Sequence, residues 1–314
     1  MTSQVTDTLF MVRPVRFRSN EQTAVNNYFQ DPDPSQSAEA IQQLAVQEFD
    51  SLVSKLREEG INVIVFSDTT VSNTPDSIFP NNWISTHDDG SVLLYPMFAE
   101  NRRIERRDDI VDALTRRFLV SSVHSFVHWE EKNLFLEGTG SLILDRPHKI
   151  AYAALSERTS TDVIAEFELR TGYRTEAFHA LQTVGNQRLP IYHTNVMMSV
   201  GEQFVLICLA SIDDKSERER LQRVFDSTGK EVIEISEAQA AAFAGNILQV
   251  RNPDGHLFIV MSQSAHDCLL DWQREKLTTH GKIVSSPIPT IERLGGGSVR
   301  CMIAEVFLPK ILMH

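Results

Sequence analysis

No stretch of this 314-residue chain approaches the roughly 20 consecutive apolar residues that cross a bilayer, and residues 1 to 20 lack an apolar run of signal-peptide length. These absences predict a soluble, cytoplasmic protein with no membrane partner. Cysteine is scarce. The three residues are far apart and form no CxxC pair, which argues against a disulfide framework and against a cysteine-rich zinc site. Basic blocks are missing too, and the formal charge is −12, so a nucleic-acid partner held by phosphate contacts is not expected. An acidic surface favours cationic or zwitterionic small molecules. HExxH is absent, His87-Asp88-Asp89-Gly90 reads as a hairpin turn, and no metal site is expected. The Gly295-Gly296-Gly297 run lacks the Lys-Ser/Thr ending of a phosphate loop, so nucleotide binding is not expected either.

What is present is a core-forming composition, 42% hydrophobic, with no low-complexity segment dividing it, and residues 1–314 read as one domain. Helix signals recur. Ser37 can cap a helix whose apolar positions Ile41, Leu44, Ala45, Phe49, Leu52, Val53 and Leu56 keep helical spacing, and Gly60 ends it before the strand INVIVF. A helix from Asn101 to Phe118 leads into VSSVHSFV, and one from Thr161 to Thr171 stops at Gly172 before YRTEAF. Two more end at Gly229 before KEVIEI and at Gly281 before KIVSS. Junctions near 60, 119, 172, 229 and 281 make a repeat of about 50 to 60 residues. Five such units suggest a closed α/β ring with helices outside and short strands inside, against the alternative of an open α/β sheet. Asn252-Pro253-Asp254-Gly255 marks a hairpin between AGNILQVR and HLFIVMS.

Each cysteine has its own context. Cys208 lies in the apolar run QFVLICLA, and Cys268 falls on an Ala265, Cys268, Leu269, Trp272 helical stripe, so both read as core. Cys301 follows the glycine run in GGGSVRCMIAEVFLP, where missing Cβ atoms let backbone and ligand approach closely. A thiol there becomes a nucleophile when a base takes its proton or a cationic substrate stabilises the thiolate. His193, in IYHTNVMMSVG, is a candidate proton carrier, with a structural hydrogen-bonding role as the alternative. Glu137, in LFLEGTGSLIL, and Asp76, in TPDSIFPNNW, are carboxylates between apolar runs, positioned either for a bound cation or for capping a turn.

Four separated segments, PDSIFPNNW, ENRRIE, FLEGTG with LSERT, and YHTNVMMSVG followed by GGGSVRC, together resemble the guanidino-group-modifying enzymes of the pentein superfamily. That superfamily includes arginine deiminases, dimethylarginine hydrolases and amidinotransferases. The opening MVRPVRFRSNEQTAVNNYFQ is similar to the citrulline-utilisation hydrolase and amidinotransferase-like branch. The resemblance implies a five-bladed, pseudo-symmetric α/β propeller with its site in the central channel, a small-molecule amino-acid substrate, and no cofactor. It implies Cys301 as nucleophile, His193 as proton-transfer residue, and Glu137 and Asp76 as carboxylates that hold guanidinium nitrogens or orient the histidine. Arg103 and Arg158 match arginines that hold a substrate carboxylate.

The sequence departs from the family pattern at Asn81 and Asn82, where dimethylarginine hydrolases carry an acidic pair, and at Asn195, where deiminases show HxD. Asparagine donates as well as accepts, so a neutral ureido group such as that of citrulline stands beside arginine and methylated arginines as a substrate. The expected activity is cysteine-dependent hydrolysis of a C–N bond. Amidino transfer to an amine, or a non-catalytic propeller that binds a macromolecule, are the alternatives.

Overall fold

The computed structural model describes residues 2–31 and 37–311. Helix Ala38–Glu58 starts where the Ser37 hydroxyl accepts the Ala40 amide, and Ile41, Ala45, Phe49, Leu52, Val53 and Leu56 turn into the core. Leu44 stays at the edge of that face and is 38% exposed. Gly60, at φ 80°, supplies the left-handed residue that reverses the chain into strand Asn62–Ser67. Thr161–Thr171 repeats the plan, with Ser160 as its cap and Gly172 at φ 71°.

Two expected helices are divided. In place of one helix over Asn101–Phe118 there are Glu100–Arg103 and Asp108–Thr115. The intervening turn lets Arg102 point inward onto Glu105, and the second helix restarts at Asp108 and Asp109, whose charges favour a helix N-terminus. The Ala265-to-Trp272 stripe is likewise split between Gln263–Cys268 and Asp271–His280, because Leu269 and Leu270 are extended. Ala265 and Leu269 remain core, whereas Trp272 is 44% exposed.

The strands form five three-stranded sheets and one two-stranded hairpin, Leu181–Val184 with Gln187–Pro190. In four of the five sheets the first strand pairs antiparallel with the second, the chain crosses over through a helical segment, and a third strand returns parallel to the second. These sheets are Ile84–Thr86, Ser91–Leu94 and Ser122–Ser125; Ile143–Asp145, Ile150–Ala154 and Arg174–Phe178; Met198–Val200, Phe204–Ile207 and Glu231–Glu234; and Leu248–Arg251, Leu257–Ser262 and Lys282–Ser286. The remaining sheet has the same order but is assembled from both ends of the chain. Ala304–Glu305 pairs antiparallel with Thr8–Arg13, which runs parallel to Asn62–Ser67. A late strand thereby completes a sheet begun by the earliest one.

Immediately before the first strand of each sheet lies a tight turn. These turns are Pro80–Asn82, Gly138–Ser141 and Thr194–Val196, the Phe243–Asn246 bend, and the Ser298–Cys301 turn. They carry most of the polar residues discussed below, so one structural position is used five times. Among the described residues, no helix is long and apolar enough to cross a membrane.

Candidate active site

Cys301, His193, Asp76, Asn82 and Arg158 line one small cavity together with Thr23, Asn27, Phe79, Arg102, Tyr192, Gly295 and Gly297. Its free volume of about 10 Å³ has room for no more than about one water. The N-terminal segment supplies one wall through Thr23 and Asn27, and Asn27 is tied to the carbonyls of Gly295 and Gly296 at 3.3 Å.

Glu137 is fully buried behind His193, at the start of the Gly138–Ser141 turn. Its Oε1 accepts the Phe98 amide at 2.9 Å, and its Oε2 lies 2.6 Å from Nε2 of His193 and 3.6 Å from Nη1 of Arg158. Burial pushes this carboxyl upward, but the Arg158 guanidinium and the His193 hydrogen bond outweigh it and hold the group down to about 2. An ionised carboxylate only accepts, so Nε2 carries the proton and Nδ1 the lone pair. Burial lowers His193 itself to about 4, because the imidazolium is costly there and Arg158 and Arg102 repel it, against the attraction of Glu137. At neutral pH the pair is therefore a neutral imidazole held by a carboxylate. Gly140 is what allows it to sit so deep, since a Cβ there would stand 2.8 Å from Nδ1 of His193 and closer still to the Asn82 amide.

Asp76 is 2% exposed. Its Oδ2 accepts from Asn20 at 2.8 Å and Thr23 at 3.3 Å and faces Arg102 at 3.8 Å, while its Oδ1 has no partner among the described residues. Burial raises its carboxyl in spite of Arg102. That oxygen, on a residue that lines the cavity, is left open to an N–H donor.

The Cys301 thiol is also pushed up by burial, with partial relief from the Asn246 hydrogen bond and the Ser298 backbone. Nδ2 of Asn246 and Nδ2 of Asn195 donate to Sγ at 3.3 and 3.4 Å. The glycine run upstream makes room for protein: a Cβ on Gly295 would strike the Phe79 ring at 2.8 Å, and one on Gly297 would crowd it at 3.1 Å. Tyr192 donates its hydroxyl to the Gly296 carbonyl at 2.5 Å and so ties the His193 turn to the Cys301 segment.

The expected residues do not all converge. Asn82 lines the cavity with Oδ1 accepting from Nη1 of Arg102 at 2.8 Å, while its Nδ2 lies against Gly140 and has no partner among the described residues. Asn81 is buried beside it, but does not line the cavity. Arg158 does, held by Asn26 at 2.9 Å and the Thr23 carbonyl at 2.9 Å between the Phe98 and Tyr192 rings. Arg103 does not. It is partly exposed, donates to the Met97 carbonyl, pairs with Glu130 at 3.7 Å, and borders an outer groove with Phe98 and Phe135. Its neighbour Arg102 takes the inner place, 2% exposed and bonded to Glu105 and the Phe79 carbonyl. On a helix, consecutive side chains diverge by about 100°, so a one-residue choice in ENRRIE selects inside or outside.

Of the other cysteines, Cys208 is buried and Cys268 only partly so. His87 is buried against Ser85 and Tyr173. His124 and His128 stand four residues apart, but one is on strand Ser122–Ser125 and the other on the Val127–Lys132 turn beside Glu166. Among the described residues, no three His, Cys, Asp or Glu side chains are grouped to hold a metal.

A sequence profile described as N,N dimethylarginine dimethylhydrolase, eukaryotic, matches residues 13–308. A search of curated proteins returned no significant match. Among solved structures, ArgZ, an arginine dihydrolase from the ornithine-ammonia cycle in cyanobacteria, is 17% identical with a TM-score of 0.73 over 97% of this chain. The chain spans 41% of that protein but 99% of its N-terminal domain, which was solved with substrate bound and is also 17% identical, TM-score 0.72 over 96% of this chain. A dimethylarginine dimethylaminohydrolase, captured as an adduct with S-methyl-L-thiocitrulline, is 14% identical with a TM-score of 0.65. There the match covers 97% of this chain and all of that one. At these identities the likeness establishes a shared mixed α/β fold.

Proposed function

This chain belongs to the N,N-dimethylarginine dimethylhydrolase family, and we propose that it is a cysteine-dependent hydrolase that cleaves a C–N bond in an amino acid with a guanidino or ureido group. The observation that carries this reading is the Glu137-held His193 on the same cavity wall system as Cys301 and Asp76. The chain acts as one catalytic domain. Its five like-ordered sheets close as five blades, a reading supported by the packing of Ile143–Asp145 on Met198–Val200, of Met198–Val200 on Leu248–Arg251, and of Ala304–Glu305 on Ile84–Thr86.

Catalysis runs through a covalent adduct. His193, neutral with its lone pair on Nδ1, takes the Cys301 proton as the sulfur attacks the planar carbon. Asp76 accepts N–H bonds from the substrate and fixes the plane. The imidazolium returns its proton to the departing amine, leaving the carbon bound to Sγ. Water then adds to that carbon as His193 takes the water proton, collapse expels the Cys301 sulfur as its anion, and the imidazolium returns the proton to that sulfur, restoring the neutral His193 and the thiol. The neutral His193 of the free protein suits both proton-accepting steps, and Glu137 stabilises the imidazolium between them.

The cavity holds about one water, so Thr23 and Asn27 must withdraw before an amino acid enters. The Arg158 guanidinium, now held by Asn26 and the Thr23 carbonyl, is then free for the substrate carboxylate. One observation favours a ureido substrate over a cation: Arg102 forces the Asn82 carboxamide to present a donor. A donor pairs with a carbonyl oxygen, not with another N–H.

The test is to incubate the protein with arginine, dimethylarginine, citrulline and agmatine and read products and intact protein by mass. A hydrolysed product and an adduct on Cys301 are expected. Mass transfer to an added amine would identify an amidinotransferase, and no adduct or turnover with any of the four would overturn the proposal.

A further inference from the structure

Asn246 performs no step in the mechanism above, yet its surroundings are built around it. The side chain is fully buried on the bend that precedes strand Leu248–Arg251. Its Nδ2 donates to the Asn195 carbonyl at 2.8 Å and to Cys301 Sγ at 3.3 Å, and its Oδ1 accepts the Cys301 amide at 3.4 Å. The oxygen faces a donor, so the amide orientation is settled and the N–H points to sulfur. Asn195, on the turn of the neighbouring sheet, approaches from the other side with Nδ2 at 3.4 Å from Sγ.

The backbone that presents Asn246 is strained and close-fitting. Phe243 sits at φ 63°, a left-handed conformation costly for an aromatic residue. At Gly245 a Cβ would lie 2.6 Å from the Val196 carbonyl, so only glycine lets this bend rest on the Asn195 turn. The bend also occupies, in its sheet, the position from which the other turns supply Asn82, Glu137, His193 and Cys301. A buried side chain carried by a strained, glycine-dependent bend onto a nucleophile's sulfur calls for a role beyond packing.

We infer that Asn246 and Asn195 form a two-donor cradle that stabilises the Cys301 sulfur as it becomes an anion, with Asn246 also locking the cysteine backbone through a second bond. A sulfur anion accepts amide N–H bonds more strongly than a thiol does. The inference rests on Cys301 being the nucleophile, but not on any one substrate. The charged and titratable groups around the sulfur are Arg300 on its own turn and, around the cavity, Asp76, Arg102, Arg158, His193 and Tyr192. These stay in place when Asn246 is replaced.

The thiol titration is read from the pH dependence of alkylation by iodoacetamide, with peptide mass separating Cys301 from Cys208 and Cys268. In Asn246→Ala the midpoint for Cys301 is expected to rise by about one to two pH units, the change produced by losing one hydrogen bond to an anion. Asn246→Asp keeps the size and the acceptor but replaces the donor with a charge, and its midpoint is expected to rise at least as far. Asn246→Ser substitutes for Asn246→Ala if that variant does not fold. An unchanged midpoint in the folded alanine or serine variant overturns the cradle, as does a rise confined to Asn246→Asp, which would report charge alone. Failure of substrate turnover in the wild type, with the midpoint shift intact, would instead refute the proposed activity and leave the cradle standing.

Discussion

Nε2 of His193 and Oε2 of Glu137 are 2.6 Å apart with neither side chain more than 2% exposed, which makes the histidine's protonation depend on one carboxylate. Replacing Glu137 by Gln keeps the size but removes the charge and permits the wrong tautomer. Turnover is expected to fall by about 10²- to 10⁴-fold with little change in substrate affinity. Steady-state kinetics with a hydrolysed substrate checks this, and an effect confined to KM would contradict the assigned role.

Cys301→Ser is expected to abolish both turnover and the covalent adduct while the protein still binds substrate, because a hydroxyl is a far weaker acid with no stronger base beside it. His193→Ala is expected to form adduct slowly and to retain it, since water attack then lacks its proton acceptor. Intact mass after substrate exposure distinguishes the two variants. An unmodified mass in a His193→Ala protein shown to bind would refute the second claim.

The same buried pair makes a signed statement about stability. His193 is lowered from 6.5 to about 4 in the fold, so between those values the unfolded chain binds the extra proton and the folded protein loses stability as pH falls. Above pH 6.5 this contribution is complete. Glu137, lowered from 4.5 to about 2, adds a second loss over that lower window. Thermal unfolding from pH 7 to 4 is expected to show a falling Tm whose slope is reduced in His193→Gln. Parallel slopes for the two proteins would show that His193 titrates without cost.

The helix-to-strand junctions were legible because capping serines and terminal glycines are local signals, as at Ser37, Gly60 and Gly172. The breaks at Ile104 and Leu269 were not, since each depends on what a distant element offers a side chain such as Arg102. Cys301, His193, Glu137 and Asp76 stand out in the sequence through the order of short motifs. The His193–Glu137 and Asp76–Asn20 hydrogen bonds each span 56 residues, beyond any periodicity argument. Asn246 left no trace: an asparagine between Gly245 and the run ILQV reads as an ordinary turn. Only the assembled turns reveal that it meets Cys301.

Arg102 and Arg103 separate the inner from the outer face of one short helix. Arg103→Ala is expected to leave kcat/KM within about threefold, the range of a partly exposed ion pair. Arg158→Ala is expected to erase the preference for arginine or citrulline over their decarboxylated counterparts, a selectivity of at least about tenfold where buried guanidinium loses its anion. Matched kcat/KM values for substrates with and without the carboxylate decide between them. Selectivity that survives in Arg158→Ala but disappears in Arg103→Ala would reverse the assignment.

Gly140 offers a test of close packing independent of charge. A methyl group there would press on Nδ1 of His193 from 2.8 Å and on the Asn82 amide, and neither can retreat without breaking a bond, to Glu137 or to Arg102. Gly140 lies in a right-handed helical turn, so alanine brings no backbone strain of the kind it would meet at Gly138, where φ is 46°. Gly140→Ala is therefore expected to fold, with Tm lowered by several degrees from an overpacking cost of about 1–3 kcal/mol. Turnover is expected to fall by at least about 10²-fold as the imidazole leaves its line with the substrate. Wild-type turnover in a folded Gly140→Ala protein would mean that His193 has room the closed cavity does not show, and that its position against Gly140 has no part in catalysis.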